Sequence, residues 1–244
     1  LQKYWDANDP YAGPGSLGAR IARLPELPLH EQPGVRWRYG HAADVLARVV
    51  EVAAAKPFGA FLEERLFAPL GMTSTSFLPP SDQWDGMATV YTQNEGGDLV
   101  VVDAPNIDAP DWTPGGSGLV STAPDYMRFA LMLWNRGTYD GVQILRPEVV
   151  DDIVAPHVPN GVLTDADFTG LGWGLGMAVV VDEEGTPVSD RNGDFWWAGY
   201  YGTTFFVSPS TGLVAVQLTQ NQPGPHSGLP LAVYIAQALA FSGL

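Results

Sequence analysis

With 244 residues, 45% of them apolar and 11% aromatic, the chain has ample material for a hydrophobic core and fits one or two domains. Twelve basic residues against 27 acidic ones leave a net charge of -15, which excludes a basic surface for nucleic acid or for anionic lipid headgroups. The lack of cysteine excludes disulfides, thiolate metal ligands and a cysteine nucleophile. No stretch reaches the roughly 18 apolar residues of a membrane span. The start, Leu1-Gln2-Lys3-Tyr4-Trp5, has no signal-peptide pattern, so the compartment stays open with the cytoplasm as the default expectation.

Residues 1–36 are rich in proline and glycine and read as loop, with one short helix over 19–24 that ends before Pro25. From His41 to Lys56 the pattern turns helical. Val45, Val49 and Val52 form one apolar stripe, Leu46, Val50 and Ala53 the adjacent one, and Asp44, Arg48 and Glu51 the polar face, so a half-buried helix is expected. Phe58 to Ala68 repeats the period and is expected to stop at Pro69, with a turn at Leu70-Gly71-Met72. A long excursion over 79–120 carries short strands around Met87 to Tyr91 and Leu99 to Val102. Ser121 or Thr122 then caps a strong helix with Tyr126, Phe129, Ala130 and Leu133 on one face and Gly137 beyond its end, and Pro147 to Val154 forms a shorter one.

After residue 165 the period becomes extended. Met177 to Asp182, Phe195 to Val207 and Leu213 to Thr219 read as three antiparallel strands, with turns at Glu183-Glu184-Gly185 and Pro209-Ser210-Thr211-Gly212. Leu229 to Phe241 closes the chain as an apolar helix. Helices first and a sheet later predict an α+β fold in two regions: a mostly helical one over 1–165, and strands with a terminal helix over 166–244.

Two groups of residues could carry chemistry. A phenol ordinarily titrates near about pH 10, and a neighbouring cation is what would make one useful for proton transfer near neutrality. Tyr39, set just before a helix and followed by Gly40 and His41, could play that part; alternatively it is a packing aromatic. His41 could be a helix-entry residue, a hydrogen-bond donor or a base, and His30, His41, His157 and His226 have no metal-ligand spacing. Asp103, Asp108 and Asp111 lack the spacing of a calcium loop, so neither metal nor cofactor is expected. In Trp196-Trp197-Ala198-Gly199-Tyr200 the two indoles should face opposite sides of a strand. There Gly199 would let a ligand approach the backbone, and the Tyr200 amide could donate to an oxyanion.

A nucleophile is harder to find. Ser117 in Gly115-Gly116-Ser117-Gly118-Leu119 fails the Gly-x-Ser-x-Gly elbow at Leu119 and has no strand before it. No Ser-x-x-Lys exists either. The lysines are Lys3 and Lys56, and Ala53 stands where a serine would precede the latter.

Four segments together closely resemble the serine β-lactamase-like hydrolases, in the branch of class C enzymes and family VIII carboxylesterases. They are Tyr39-Gly40-His41 leading into Asp44-Val45-Leu46; Phe61 to Arg65 with Pro69-Leu70-Gly71-Met72 and Ser74-Thr75; Gly115-Gly116-Ser117-Gly118-Leu119-Val120-Ser121-Thr122 with Asp125-Tyr126; and Trp197-Ala198-Gly199 with Tyr201-Gly202-Thr203. The resemblance implies a helical domain inserted in an α/β domain with an antiparallel sheet. It implies Tyr39 as the catalytic tyrosine, His41 where asparagine is common, and Trp197-Ala198-Gly199 where β-lactamases have Lys-Thr-Gly. The Tyr200 amide would then be half of an oxyanion hole. It also implies that first strands and a Ser-x-x-Lys helix would come from a preceding segment or a separate chain. Replacing the strand lysine by Trp197 removes the cation for a β-lactam carboxylate. The expected activity is therefore a carboxylesterase cleaving small neutral esters through an acyl-enzyme. The alternatives are a non-catalytic scaffold of the same fold, or β-lactamase or D-amino-acid peptidase activity.

Overall fold

The computed structural model describes residues 9, 14–102, 112–159, 162–163, 169–185 and 191–222. The expected helix over 229–241, the aspartates at 103, 108 and 111, and His226 lie outside these residues. Helix α1 (Leu17–Ile21) is capped by the Ser16 hydroxyl, which accepts from the Ala19 amide. After a short 3-10 turn (Leu24–Glu26) comes α2 (Ala42–Ala54), ended by Ala55 in the left-handed conformation.

Helix α3 (Phe58–Leu62) widens into a π turn (Glu63–Phe67) and closes in α4 (Ala68–Leu70). Pro69 was expected to stop the helix, and instead it lies inside the last turn. Proline lacks an N–H and crowds the carbonyl four residues back. The wider π turn just before it relieves that crowding, and Gly71, at φ 66°, ends the element.

A 3-10 segment (Ser81–Gly86) leads to the hairpin β1 (Tyr91–Gln93) and β2 (Leu99–Val101). Helix α5 (Ala123–Trp134) starts at Thr122, whose hydroxyl accepts from the Asp125 amide, as the capping pattern predicts. The small ribbon β3 (Thr138–Tyr139) and β4 (Val142–Gln143) precedes α6 (Pro147–Ile153).

The main sheet is antiparallel throughout, in the order β5 (Leu171–Trp173), β6 (Ala178–Val180), β7 (Phe195–Ala198), β8 (Thr204–Ser208), β9 (Leu213–Gln217). The run from Phe195 to Val207, expected as one strand, folds back on itself. Gly199 and Gly202 permit the reversal, with Gly202 at φ 81° and donating to the Gly199 carbonyl at 3.0 Å. β5 adds a further strand that its glycines hide from a β-propensity reading.

One core joins both sides of residue 165: Phe67, Leu70, Met72, Ala130, Met132, Leu133 and Val150 pack with Met177, Val179, Phe195, Phe205 and Val207. Tyr126 and Phe129 of α5 meet Phe205 of β8 at ring-centroid distances of 5.6 and 6.4 Å. Burial pushes the Tyr126 phenol up to about 12.

Asp194, just before β7, is buried, and its Oδ1 accepts no hydrogen bond among the described residues. Burial raises its carboxyl above the ordinary aspartate range, while the Ser208 hydroxyl and the Arg191 amide pull the other way. The folded chain therefore holds this proton more tightly than the unfolded chain does. Its contribution to stability is full below the ordinary aspartate range and is lost as pH rises through the raised value. Urea unfolding between pH 4 and 7 should show Asp194→Asn losing less stability with rising pH than the parent chain. Parallel curves would show that Asp194 does not titrate in this window.

Candidate functional site

The site is built around the start of α2. Tyr39 lies in irregular chain two residues ahead of the helix N-cap and is 69% exposed. His41 is the residue preceding the first helical turn, and its carbonyl accepts from the Asp44 and Val45 amides, both at 3.1 Å.

Asp44 holds the helix in place. Its Oδ1 accepts from the Gly115 amide at 2.7 Å and the Gly116 amide at 3.1 Å, and the residue is buried. A charged acceptor taking two amides is among the stronger hydrogen-bonding arrangements available to a chain. The approach also demands glycine: a Cβ on Gly115 would stand 2.2 Å from the Ala43 carbonyl oxygen and 2.7 Å from the Ala47 Cβ.

The Gly115–Val120 loop is itself tied down. Ser76 and Val120 exchange backbone hydrogen bonds at 3.0 and 2.9 Å. Asp125 Oδ2 accepts from the Ser74 amide at 2.8 Å and the Thr75 hydroxyl at 2.9 Å, and Thr75 Oγ1 lies 2.8 Å from Ser121 Oγ. The Ser74-Thr75 and Ser121 to Asp125 segments, which carried the family resemblance, are thus two halves of one hydrogen-bond network.

Helix α2 was expected to bury its apolar stripes, and its orientation is the reverse. Val45, Leu46, Val49 and Val52 are 38%, 62%, 56% and 64% exposed, while Asp44 and Ala47 are its buried residues. Asp44, Arg48 and Glu51, read as the polar face, take fixed partners. Arg48 bonds Glu51 at 3.0 Å, and Glu51 accepts from the Phe58 amide at 3.3 Å. Fixed polar partners set this orientation. Val45, Val49 and Val52 line an open apolar groove with Ile21, Arg48 and Ala53.

Of the residues singled out in the sequence, Tyr39 and Trp197 come together, with stacked rings 6.0 Å apart and 21° between planes. Trp173 meets Trp197 edge to face at 4.4 Å and 88°, Trp37 meets Trp173 at 4.9 Å, and Trp37 returns to Tyr39 at 6.0 Å. The four rings form a closed circuit. Trp196 and Trp197 are both half-buried, and Phe195 is the buried ring of β7; Trp197 packs against the core, and the two indoles, expected on opposite sides of the strand, lie 6.1 Å apart with 26° between their planes.

At the strand end, the Gly199 amide donates to the Thr203 carbonyl at 2.7 Å, and a Cβ on Gly199 would stand 2.3 Å from Thr203 Oγ1. The Tyr200 amide in the turn donates to no acceptor among the described residues, and its ring is 59% exposed. Among the described residues no cluster of histidine, aspartate and glutamate could hold a metal, and no helix is long and apolar enough to cross a membrane.

Trp37, Trp173 and Asp44 were not singled out in the sequence as site residues. Trp37 had a signal: in extended chain, residues two apart share a side, which places it beside Tyr39. Trp173 had none, because its neighbours become strand only through pairing with β6.

A tyrosine ahead of an anchored helix, set against the glycine end of an antiparallel strand, defines the β-lactamase and transpeptidase class of fold. The chain belongs to the Beta-lactamase family, whose profile matches residues 2–240. It is 37% identical over 217 residues to an uncharacterized protein of Mycobacterium tuberculosis, covering 83% of this chain and 53% of that protein. To Esterase EstB of Burkholderia gladioli it is 28% identical, covering 91% of this chain and 59% of the esterase. Its structure is similar to EstCE1, a hydrolase with promiscuous acyltransferase activity, with a TM-score of 0.79 and 25% identity over 92% of this chain and 62% of that one. The chain thus spans between half and two thirds of the length of these relatives.

Replacing Gly115 by alanine should destabilise the chain by about 2–3 kcal/mol through overpacking. Asp44→Ala should lose a similar amount, about 2–3 kcal/mol, because two amides lose a charged acceptor. Denaturant unfolding checks both. Loss of less than about half a kilocalorie per mole in either variant would show that the loop and helix part freely.

Proposed function

We propose that this chain supplies the tyrosine and the oxyanion strand of a serine carboxylesterase that cleaves small neutral esters. The observation that carries this reading is the stack of Trp197 on Tyr39. Where a β-lactamase-like site would present a lysine to a substrate carboxylate, this chain presents an indole, which cannot form a charge-assisted pair. The likeness to Esterase EstB points the same way.

On this reading a serine hydroxyl from a Ser-x-x-Lys segment attacks the ester carbonyl, and its proton passes to the lysine–Tyr39 pair. The carbonyl oxygen, now negative, is held by the Tyr200 amide and the amide of that serine. Collapse expels the alkoxide, which takes the proton from the pair and leaves as the alcohol, and the acyl group stays on serine. Water then attacks the acyl-enzyme and loses a proton to the same pair, which passes it to the departing serine oxygen as the carboxylic acid is released. Residues 1–165 contribute Tyr39 and His41, with His41 beside the substrate, and residues 166–244 contribute Trp197, Ala198, Gly199 and Tyr200. The exposed valines of α2 support a further protein segment lying across them, since an apolar stripe of this kind ordinarily faces a partner.

The test uses protein that carries the Ser-x-x-Lys segment. It should hydrolyse nitrophenyl butyrate faster than a chromogenic cephalosporin, and Tyr39→Phe should lower kcat by about a hundredfold to ten-thousandfold. The 244 residues alone should turn over neither substrate. Preference for the cephalosporin, or full activity in Tyr39→Phe, overturns the assignment.

A further inference from the structure

We propose that the four-ring circuit of Trp37, Tyr39, Trp173 and Trp197 is an aryl-recognition subsite, with Trp173 its specificity-determining residue, so that the preferred esters carry a neutral aromatic ring. The proposal rests on the esterase reading for the reaction, and on the ring geometry for the ligand class.

None of the four rings is fully buried: the indoles are half-buried and Tyr39 is 69% exposed, so the circuit reaches the protein surface. Trp197 also packs against the hydrophobic core and lies 6.1 Å from Trp196. The circuit already contains a stacked contact and an edge-to-face contact, the two geometries aromatic pairs prefer. A fifth ring extends that set, whereas a saturated ring of equal size has no quadrupole to match.

The backbone beneath the circuit is rigid, which pre-organises the surface. The Trp37 amide donates to the Val162 carbonyl at 3.0 Å, and the His157 amide donates to the Trp173 carbonyl at 2.8 Å. Both neighbours of Trp173 are wedged: a Cβ on Gly172 would meet Pro156 Cβ at 2.7 Å, and one on Gly174 would meet the Ile153 carbonyl at 2.3 Å. β5 therefore cannot slide to take the indole away from Trp197.

Aromatic boxes also bind cations, and the net charge of -15 would draw them in. Local charge decides against it. Arg36 and Arg38 stand on either side of Trp37 in the chain and both pair with Glu31, two guanidiniums against one carboxylate at that edge of the circuit. A neutral aryl group suits the site better than a quaternary ammonium.

The experiment needs no catalysis. N-phenylbutanamide and N-cyclohexylbutanamide, unreactive analogues of an aryl and an alicyclic butyrate, are titrated against the 244-residue chain while tryptophan fluorescence is followed. The anilide should bind about three- to tenfold more tightly than its saturated counterpart. Trp173→Leu should abolish the preference, Trp173→Phe should keep most of it, and Trp84→Phe, in the 3-10 segment and outside the circuit, should leave it unchanged. Circular dichroism confirms that each variant is folded. Equal affinities, or a preference untouched by Trp173→Leu, overturn the proposal, as does tighter binding of a tetraalkylammonium ion. An aryl preference in binding, with no ester hydrolysis by protein that carries the Ser-x-x-Lys segment, would sink the esterase reading alone, and hydrolysis by that protein without an aryl preference in binding would sink this inference alone.

Discussion

The carboxylate of Asp44, accepting from the amides of Gly115 and Gly116, is the contact on which the arrangement of the site depends. It fixes where α2 begins, hence where Tyr39 and His41 stand, and it does so through backbone groups of a loop that the Asp125 network holds against Ser74 and Thr75. The glycine at 115 and the aspartate at 44 are one device. Without the first the helix cannot come close enough, and without the second two amides facing a buried oxygen have nothing to bond.

This device also accounts for the unusual face that α2 presents. Amphipathic patterning assumes that apolar residues choose the buried side, because water gains most when they do. In α2 the choice is made by specific polar contacts: Asp44 to the loop, Glu51 to the first amide of α3. The period of the helix and its limits were readable from the spacing of valines and leucines, but its rotation was not. Rotation depends on a loop seventy residues away, and nothing in residues 42–54 announces it.

A similar division runs through the rest of the molecule. Cap residues, helical periods and the turn at Leu70-Gly71-Met72 are local chemistry, and they were legible. The reversal inside Phe195 to Val207, the passage of Pro69 within a helical turn and the existence of β5 were not, since each is settled by a partner elsewhere: the register of β8, the π turn before the proline, the neighbouring β6. Tyr39 and Trp197 were both legible as candidates, whereas the circuit that joins them was not. It needs Trp173, a residue flanked by glycines whose place is set by tertiary contacts.

The outward-facing valines of α2 carry a consequence for what stability means in this polypeptide. Anything that lies across them recognises the helix only when it is formed, so its binding adds to the folding free energy by mass action. With the proposed segment supplied as a separate chain, the support beneath Tyr39 would have no single melting temperature of its own, and its unfolding midpoint would move with the concentration of that segment.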